Sequence, residues 1–531
     1  MPLRMWTYDL AREQVPTLDH LRRFCDLSIS AGYNAFGIYM EHRFAYPSTP
    51  WSHGIGCVTP EMVSTLQEEY KDLQIIPFIN LLGHFEGFLY TESGYSYAEC
   101  KFKGMQACPS NSDFVALASM ILDDTIEAFN SSIIHIGGDE TEHLGVCPKC
   151  SARVAKFEEE YGVDGKAKLF GDHFSPMVAK VTAAGRRAGI WSDMLLAHPQ
   201  AIDLIPTETI IFDWQYFQSC STTSPVFRER GFDVVYCPTL HVYNATWLHM
   251  PQSERNVREN AVAAVRDNAS GVCVTTWECG LFGNYETLLP AIRASGEIIA
   301  KAAEGGADHS EQPSDFSAYK LERDAEQFLK AYLQEGETYE EWARLMGVEL
   351  LDAGGPFEFG GIRSGLKCRM LLYSNPFLLW LRHRDDLCGA IGEKALSIFE
   401  RGVVFAPDAS ARGVSDFAKS VILFARFVEE AHQAYAKGNF AEAATTLTPC
   451  RQIFENLTKI ARSNNLRIGG SLADIERCHI AKEHVERVMR RIKQYGDGSL
   501  GYIPSFEMIT HPNFVPHDQA GWWLINSWAR E

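Results

Sequence analysis

Eight short apolar runs, rich in β-branched residues, recur through the first ~300 residues with helix-like segments between them. The runs lie at 4–9, 34–40, 74–81, 132–138, 188–194, 209–216, 233–240 and 271–278. Helix patterns fall at 16–30, 59–73, 112–130, 167–187, 254–268 and 285–302. Start signals agree with this phase. Thr59-Pro60-Glu61 is an N-cap followed by proline, and Ser112-Asp113 opens the next helix. Helix 112–130 places Phe114, Leu117, Ile121, Ile126 and Phe129 on one face. Near-continuous apolar strands alternating with one-faced helices describe a parallel sheet covered by its crossovers. Eight such repeats predict an α/β fold of the (β/α)8 TIM-barrel type. A doubly wound open sheet is the competing architecture, but no Gly-rich phosphate loop follows the first strand.

At 531 residues the chain exceeds one ordinary core. The pattern divides it into a barrel at 1–303, a polar linker at 304–317 and a C-terminal all-helical domain at 318–531. Helical periodicity in the last part covers 322–334, 338–351, 387–400, 414–437, 440–462 and 472–495. Its tail carries Trp522, Trp523 and Trp528, a density that points to docking on the body or on another subunit, hence to a homodimer through the helical half. A net charge of −19 speaks against a grip on nucleic-acid phosphates. No stretch approaches a membrane span, and the N-terminal residues lack an export-type apolar run. Fourteen cysteines, several inside apolar runs (Cys25, Cys237, Cys273), read as reduced core thiols. A cytoplasmic location is the expectation.

In a barrel of this kind, chemistry gathers where the strands end. The fourth run, Ile133-Ile134-His135-Ile136-Gly137-Gly138-Asp139-Glu140, leaves an apolar interior through two glycines and stops at two adjacent acids. Adjacent carboxylates repel, so a substrate, a cation or a proton must relieve them. They are a candidate general acid with a charged partner. An N-cap followed by a first-turn acid is the bland alternative. Other strand ends are equally polar: Asp9 and Arg12, Glu41, His84, Trp191-Ser192-Asp193, Asp213-Trp214 and Trp277-Glu278. His135 lies within its strand and reads as a hydrogen-bonded barrel residue. Cys147-Pro148-Lys149-Cys150 has the spacing of half a zinc knuckle, with Cys100 and Cys108 as its conceivable other half. A cysteine-containing turn is the expectation there, and no catalytic metal or cofactor is implied.

The run His135-x-Gly137-Gly138-Asp139-Glu140 resembles the signature of family 20 glycoside hydrolases, the β-N-acetylhexosaminidases. Asp9-Leu10-Ala11-Arg12 is similar to that family's sugar-binding arginine segment, and Gly83-His84 to its Gly-His pair. Ile38-Tyr39-Met40-Glu41 looks like the intracellular, hexosaminidase D-like branch. The resemblance implies a retaining, exo-acting enzyme that removes terminal GlcNAc or GalNAc from an oligosaccharide or glycoconjugate. The substrate's own 2-acetamido group would act as nucleophile, through an oxazoline. Glu140 would be the general acid and base, its pKa raised by Asp139, and Asp139 would orient the acetamido N–H. His84 and Glu41 would form a relay behind Glu140. Arg12 would bind sugar hydroxyls. Trp191, Trp214 and Trp277 would enclose the acetamido methyl and the ring, with Glu278 on the hydroxyls. Tyr243 would bond the acetamido oxygen, with Tyr216 as its competitor. Two other function classes stay open: a non-catalytic sugar-binding or scaffold protein, and a metal-dependent hydrolase built on Asp139, Glu140, His135 and His84.

Overall fold

The computed structural model describes residues 1–101, 105–243, 245–277, 285–305, 324–357, 368–369, 371–372, 374–464, 473–498 and 502–512. Eight parallel strands close on themselves in chain order: β1 (Leu3–Asp9), β2 (Ala35–Tyr39), β3 (Gln74–Phe78), β4 (Ile133–His135), β5 (Arg187–Trp191), β6 (Ile210–Trp214), β7 (Asp233–Cys237) and β8 (Gly271–Val274). Closure comes from β1 pairing with β8, Met5 lying opposite Cys273. Six strands fall inside the runs that predicted them and β1 and β5 begin one residue earlier, so the barrel replaces the open-sheet alternative. The helices between them start on identifiable caps. The Thr59 side chain accepts from Met62 N ahead of Pro60–Glu69, Asn111 accepts from Asp113 N and Phe114 N, and Asp164 accepts from Lys166 N and Ala167 N.

Inward-pointing side chains fill the barrel. Met5, Tyr39, Ile76, Phe78, Trp191, Phe212, Val235, Cys237 and Cys273 form one apolar cluster, and Trp214 and Trp277 pack partly buried against it. The interior is therefore a packed core, and any site must sit at the strand ends.

Two compact units emerge. The first comprises 1–241, 250–279 and 288–331; the second comprises 242–249, 280–287 and 332–531. The sequence reading cut the chain once, at a linker over 304–317. Instead the segments that follow β7 and β8 group with the helical unit, and residues up to Ala331 group with the barrel, where Phe328 N donates to Glu254 Oε2 (2.8 Å). Most of that linker, Glu278 and the Trp-rich tail lie outside the described residues.

The second unit is helical, with Glu337–Gly347, Pro376–Leu387, Ala390–Phe405, Ala409–Ala436, Thr448–Asn464 and Ala473–Gly496 as its longer members. Trp342 is fully buried, stacks edge-on to Trp247 (4.5 Å) and donates its indole N–H to Ser415 Oγ (2.9 Å). No helix of the described residues is long and apolar enough to cross a membrane.

Candidate active site

Among the described residues, the non-glycine positions with positive φ are Glu13, Glu41, His84, Glu140 and Asn268. Four of the five follow β1, β2, β3 and β4 in turn. Side chains with a Cβ avoid this left-handed region at roughly 1–2 kcal/mol each, so the clustering marks a place where geometry is imposed by the surroundings. Gly137 (φ +80°) and Gly138 (φ +100°) adopt positive φ without that cost, and a Cβ on Gly138 would stand 2.8 Å from Ile190 Cγ1. The β4 strand can therefore turn sharply enough to present Asp139 and Glu140 side by side.

His84 lies at the centre. Its Nε2 donates to Glu140 Oε2 (3.0 Å) and stands 3.5 Å from Asp139 Oδ2. Its Nδ1 faces Glu86 Oε1 at 3.5 Å. Burial opposes a charged ring here, but Asp139, Glu140 and Glu86 outweigh burial and hold the imidazole well above its ordinary pKa. The carboxylate facing His84 Nδ1 is thus Glu86, where the sequence reading set Glu41. Glu41 is buried, faces Arg12 Nη1 (3.6 Å), and is pushed well above the usual carboxylate range by burial and then by Glu86. Glu41, His84 and Glu86 offer ligand atoms within 4.8 Å of one another, a spacing that also suits a cation. Glu86 was not singled out from the sequence, although it stands two residues after His84.

The two acids have different surroundings. Asp139 is 8 % exposed, and burial lifts its pKa to about 6 despite the opposing pull of His84. Its buried Oδ1 has no hydrogen-bond partner among the described residues. Glu140 has a side chain 44 % exposed, and the His84 hydrogen bond lowers its pKa. The sequence reading expected the reverse, a Glu140 raised by its neighbour. The His84 ring at 3.0 Å wins because it is hydrogen-bonded to the Glu140 carboxylate.

Asp193 ties the rim together. Its Oδ2 accepts from Glu140 N (2.8 Å) and its Oδ1 from the Trp214 indole (3.1 Å). Burial, then the nearby Asp139 charge, raise its pKa to about 7. Trp277 donates to Tyr216 Oη (2.6 Å) and packs edge-on to Tyr39 (4.8 Å), while Tyr216 lies 5.0 Å from the Trp214 ring. These half-buried rings form an aromatic wall. Trp191 does not belong to it: at 1 % exposure it is core, 6.0 Å beneath Trp277 and against His135 (4.3 Å). Tyr216 is on this wall, whereas Tyr243 falls in the second compact unit. Arg12 is held by Asp9 Oδ1 (3.3 Å) and Glu41, with its guanidinium over the Tyr39 ring (5.6 Å). His135 is fully buried and stacked on Phe78 (4.5 Å), its Nδ1 accepting from Gly137 N (3.1 Å), and burial holds its pKa well below normal. Its ring is packed in the core between Phe78 and Trp191, which removes one ligand of the metal-dependent alternative.

A family model, the glycosyl hydrolase family 20 catalytic domain, matches residues 68–279. Arg12 and Glu41 precede that segment. Among curated proteins, beta-hexosaminidase A of Caenorhabditis elegans is 25% identical over 158 residues, 27% of this chain and 28% of that protein. The Caenorhabditis briggsae protein of the same name is 23% identical over 192 residues, 33% of this chain and 34% of that protein. The chain thus spans only about a third of the length of these relatives. Of solved structures, a Vibrio harveyi family 20 exo β-N-acetylglucosaminidase has a TM-score of 0.46 at 16% identity, covering 65% of this chain and 58% of its own. A Bacteroides fragilis β-N-acetylhexosaminidase has a TM-score of 0.43 at 18% identity, covering 60% and 68%. The segment that is similar to the glycosyl hydrolase family 20 catalytic domain runs from the end of the helix before β3 to just past β8.

Proposed function

We propose that this chain is a retaining exo-β-N-acetylhexosaminidase that hydrolyses terminal β-linked GlcNAc or GalNAc with help from the substrate's acetamido group. The observation that carries the reading is the pair of unlike acids. Among the described residues Asp139 keeps a buried carboxylate oxygen without a donor, beside a half-exposed Glu140. A buried acceptor of that kind fits an amide N–H. With the N–H held by Asp139, the acetamido oxygen attacks the anomeric carbon, and the carboxylate offsets the positive charge that develops on the oxazolinium ring. Glu140 relays a proton from the His84 imidazolium, along their 3.0 Å bond, to the departing oxygen, and is left as a carboxylate beside a neutral imidazole. It then takes a proton from the water that opens the ring. Trp214 and Trp277 offer apolar faces to the sugar, and Tyr216 is the hydroxyl nearest them. Arg12 is fixed by Asp9 and Glu41 as a donor for ring hydroxyls. Free thiols, many of them buried, agree with a reducing, cytoplasmic setting, and Tyr39 and Glu41 with the hexosaminidase D-like branch.

The test is a panel of aryl β-glycosides that differ only at C2. The N-acetylglucosaminide and N-acetylgalactosaminide should be cleaved and a thiazoline mimic of the cyclised intermediate should inhibit. Comparable cleavage of the plain glucoside would overturn the mechanism, and binding of N-acetylglucosamine without turnover would favour a sugar-binding protein.

A further inference from the structure

The loop after β3 and the loop after β4 meet at a second group of side chains that the proposed chemistry does not use. An isolated antiparallel bridge, Ala98 to Ala107, folds the first loop back on itself; Glu99 N donates to Gln106 O (3.0 Å) and Cys108 N to Tyr97 O (2.8 Å). Glu99 and Cys108 are thereby brought side by side. The second loop delivers Cys147 and Cys150 on the first turn of helix Pro148–Tyr161. Cys108 Sγ stands 3.5 Å from Cys147 Sγ and 3.6 Å from Cys150 Sγ. Glu99, only 5 % exposed, accepts from Cys147 N (2.9 Å) and from Cys150 Sγ (3.2 Å). One atom from each of the four residues lies within 4.8 Å of the other three.

These separations discriminate between two chemistries. A disulfide needs about 2.05 Å between sulfurs. A tetrahedral zinc site with Zn–S near 2.3 Å places its sulfurs about 3.8 Å apart, close to the spacing found. Pairing two of three sulfurs would also leave the third beside a buried carboxylate. Three soft thiolates and one carboxylate around a common point is a donor set that suits zinc. The Cys-x-x-Cys turn is already shaped for it: Cys147 is the N-cap, and Cys150 N donates to its sulfur (3.4 Å), as suits a thiolate at a helix N-terminus. Outside the four, Ser110 Oγ accepts from Cys150 Sγ (3.0 Å) and from Arg153 Nη1 (3.1 Å). Arg153 thus brings positive charge to the margin of an otherwise anionic cluster.

We propose that Cys108, Cys147 and Cys150, with the carboxylate of Glu99, bind one zinc ion that clamps the loop following His84 to the loop following Asp139 and Glu140. The sequence reading set Cys100 beside Cys108 as the second half of such a knuckle; the fold selects Glu99 in its place. On binding, three thiol protons leave to solvent and four bonds to zinc form, with no change of oxidation state. The role is structural, since all four positions are filled by protein.

The test uses the full-length chain, expressed with zinc supplied and purified without chelator. Elemental analysis should give one zinc per chain. Exchange for cobalt(II) should produce thiolate-to-cobalt charge transfer and the ligand-field bands of a tetrahedral site. Cys108→Ser and Cys150→Ser should each lose stoichiometric metal, and Glu99→Gln should weaken retention by roughly tenfold or more. Cys57→Ser and Cys388→Ser should keep it. Should a variant fail to fold, the cobalt spectrum of the unaltered chain decides alone. Metal-free protein, a Cys108 disulfide in peptides mapped without reduction, or equal zinc in the serine variants would overturn the proposal. Metal content is read without substrate, so this outcome is independent of the glycosidase assignment.

Discussion

Glu41, His84 and Glu140 hold φ values of +41°, +46° and +46°, and each turns a titratable side chain toward the same few ångströms. At Glu140 the imposed conformation can be separated from the chemistry. Glu140→Gly and Glu140→Ala both remove the carboxylate, and both should abolish turnover. The glycine variant should be the more stable by about 1 kcal/mol in urea unfolding, because only it is relieved of a left-handed Cβ. Glu140→Gln should lower kcat on alkyl leaving groups by about 10²–10⁴-fold. Acidity gives a further test. Asp139 titrates at about 6 and Asp193 at about 7, against an ordinary 3.8. Both bind more protons folded than unfolded across about pH 4 to 7, so their contribution to stability is present at the low end and lost as pH rises. Thermal melts across that window should fall more gently for Asp193→Asn than for the unaltered chain. The same Asp139 value predicts an acid limb in kcat/KM near pH 6, with activity rising as the carboxylate ionises. Polar strand ends announced Asp139, Glu140, His84 and Arg12. Glu86 escaped notice because it lies in a short helical turn, Glu86–Leu89, whose direction no periodicity reveals.

At the level of elements, hydrophobic period was enough for the strands, since each is a buried parallel strand whose neighbours leave it no polar face. Helix Pro148–Tyr161 was not foreseen for the converse reason. Of its fourteen residues Cys150 is the one described as buried, and its apolar stripe, Cys150, Val154, Phe157 and Tyr161, is narrow and largely left at the surface. It is held by its cap and by packing near the cysteine cluster. Trp191 was assigned to the pocket from its place at the end of β5, but its ring packs within the barrel's apolar cluster against Phe78 and His135. The strand ends also approach one another closely. A Cβ on Gly83 would stand 2.2 Å from the Asp139 carbonyl oxygen and 3.0 Å from Thr141 Cγ2. Gly83→Ala should therefore displace the Asp139–Glu140 segment, cutting kcat/KM while costing about 1–3 kcal/mol of stability. Full activity with unchanged stability would show that the two loops part freely.

Over the whole chain, the segments after β7 and β8 belong with the helices. Tyr332 Oη donates to Thr287 O (2.7 Å), Arg369 Nη1 to Val242 O (2.7 Å), and Ser410 Oγ to Glu286 Oε2 (2.6 Å). Trp342→Ala would empty the contact with Trp247 and remove the indole donor to Ser415 Oγ, and should cost about 3–5 kcal/mol in the unfolding of that unit. Truncation to residues 1–305 should yield a chain that melts broadly or aggregates, because 242–249 and 280–287 lose these partners. Simple linear cutting at a polar stretch missed this, since composition marks where a chain crosses between units and says nothing of segments returning to the other. The arrangement also sets an order on biogenesis. Residues 242–249 leave the ribosome well before Trp342, Arg369 and Ser410 exist, so the last two crossovers must wait, exposed, until more than a hundred further residues have been made. A nascent barrel of this design is complete in its strands long before it is complete in its loops, and that interval is when a chaperone would have most to do.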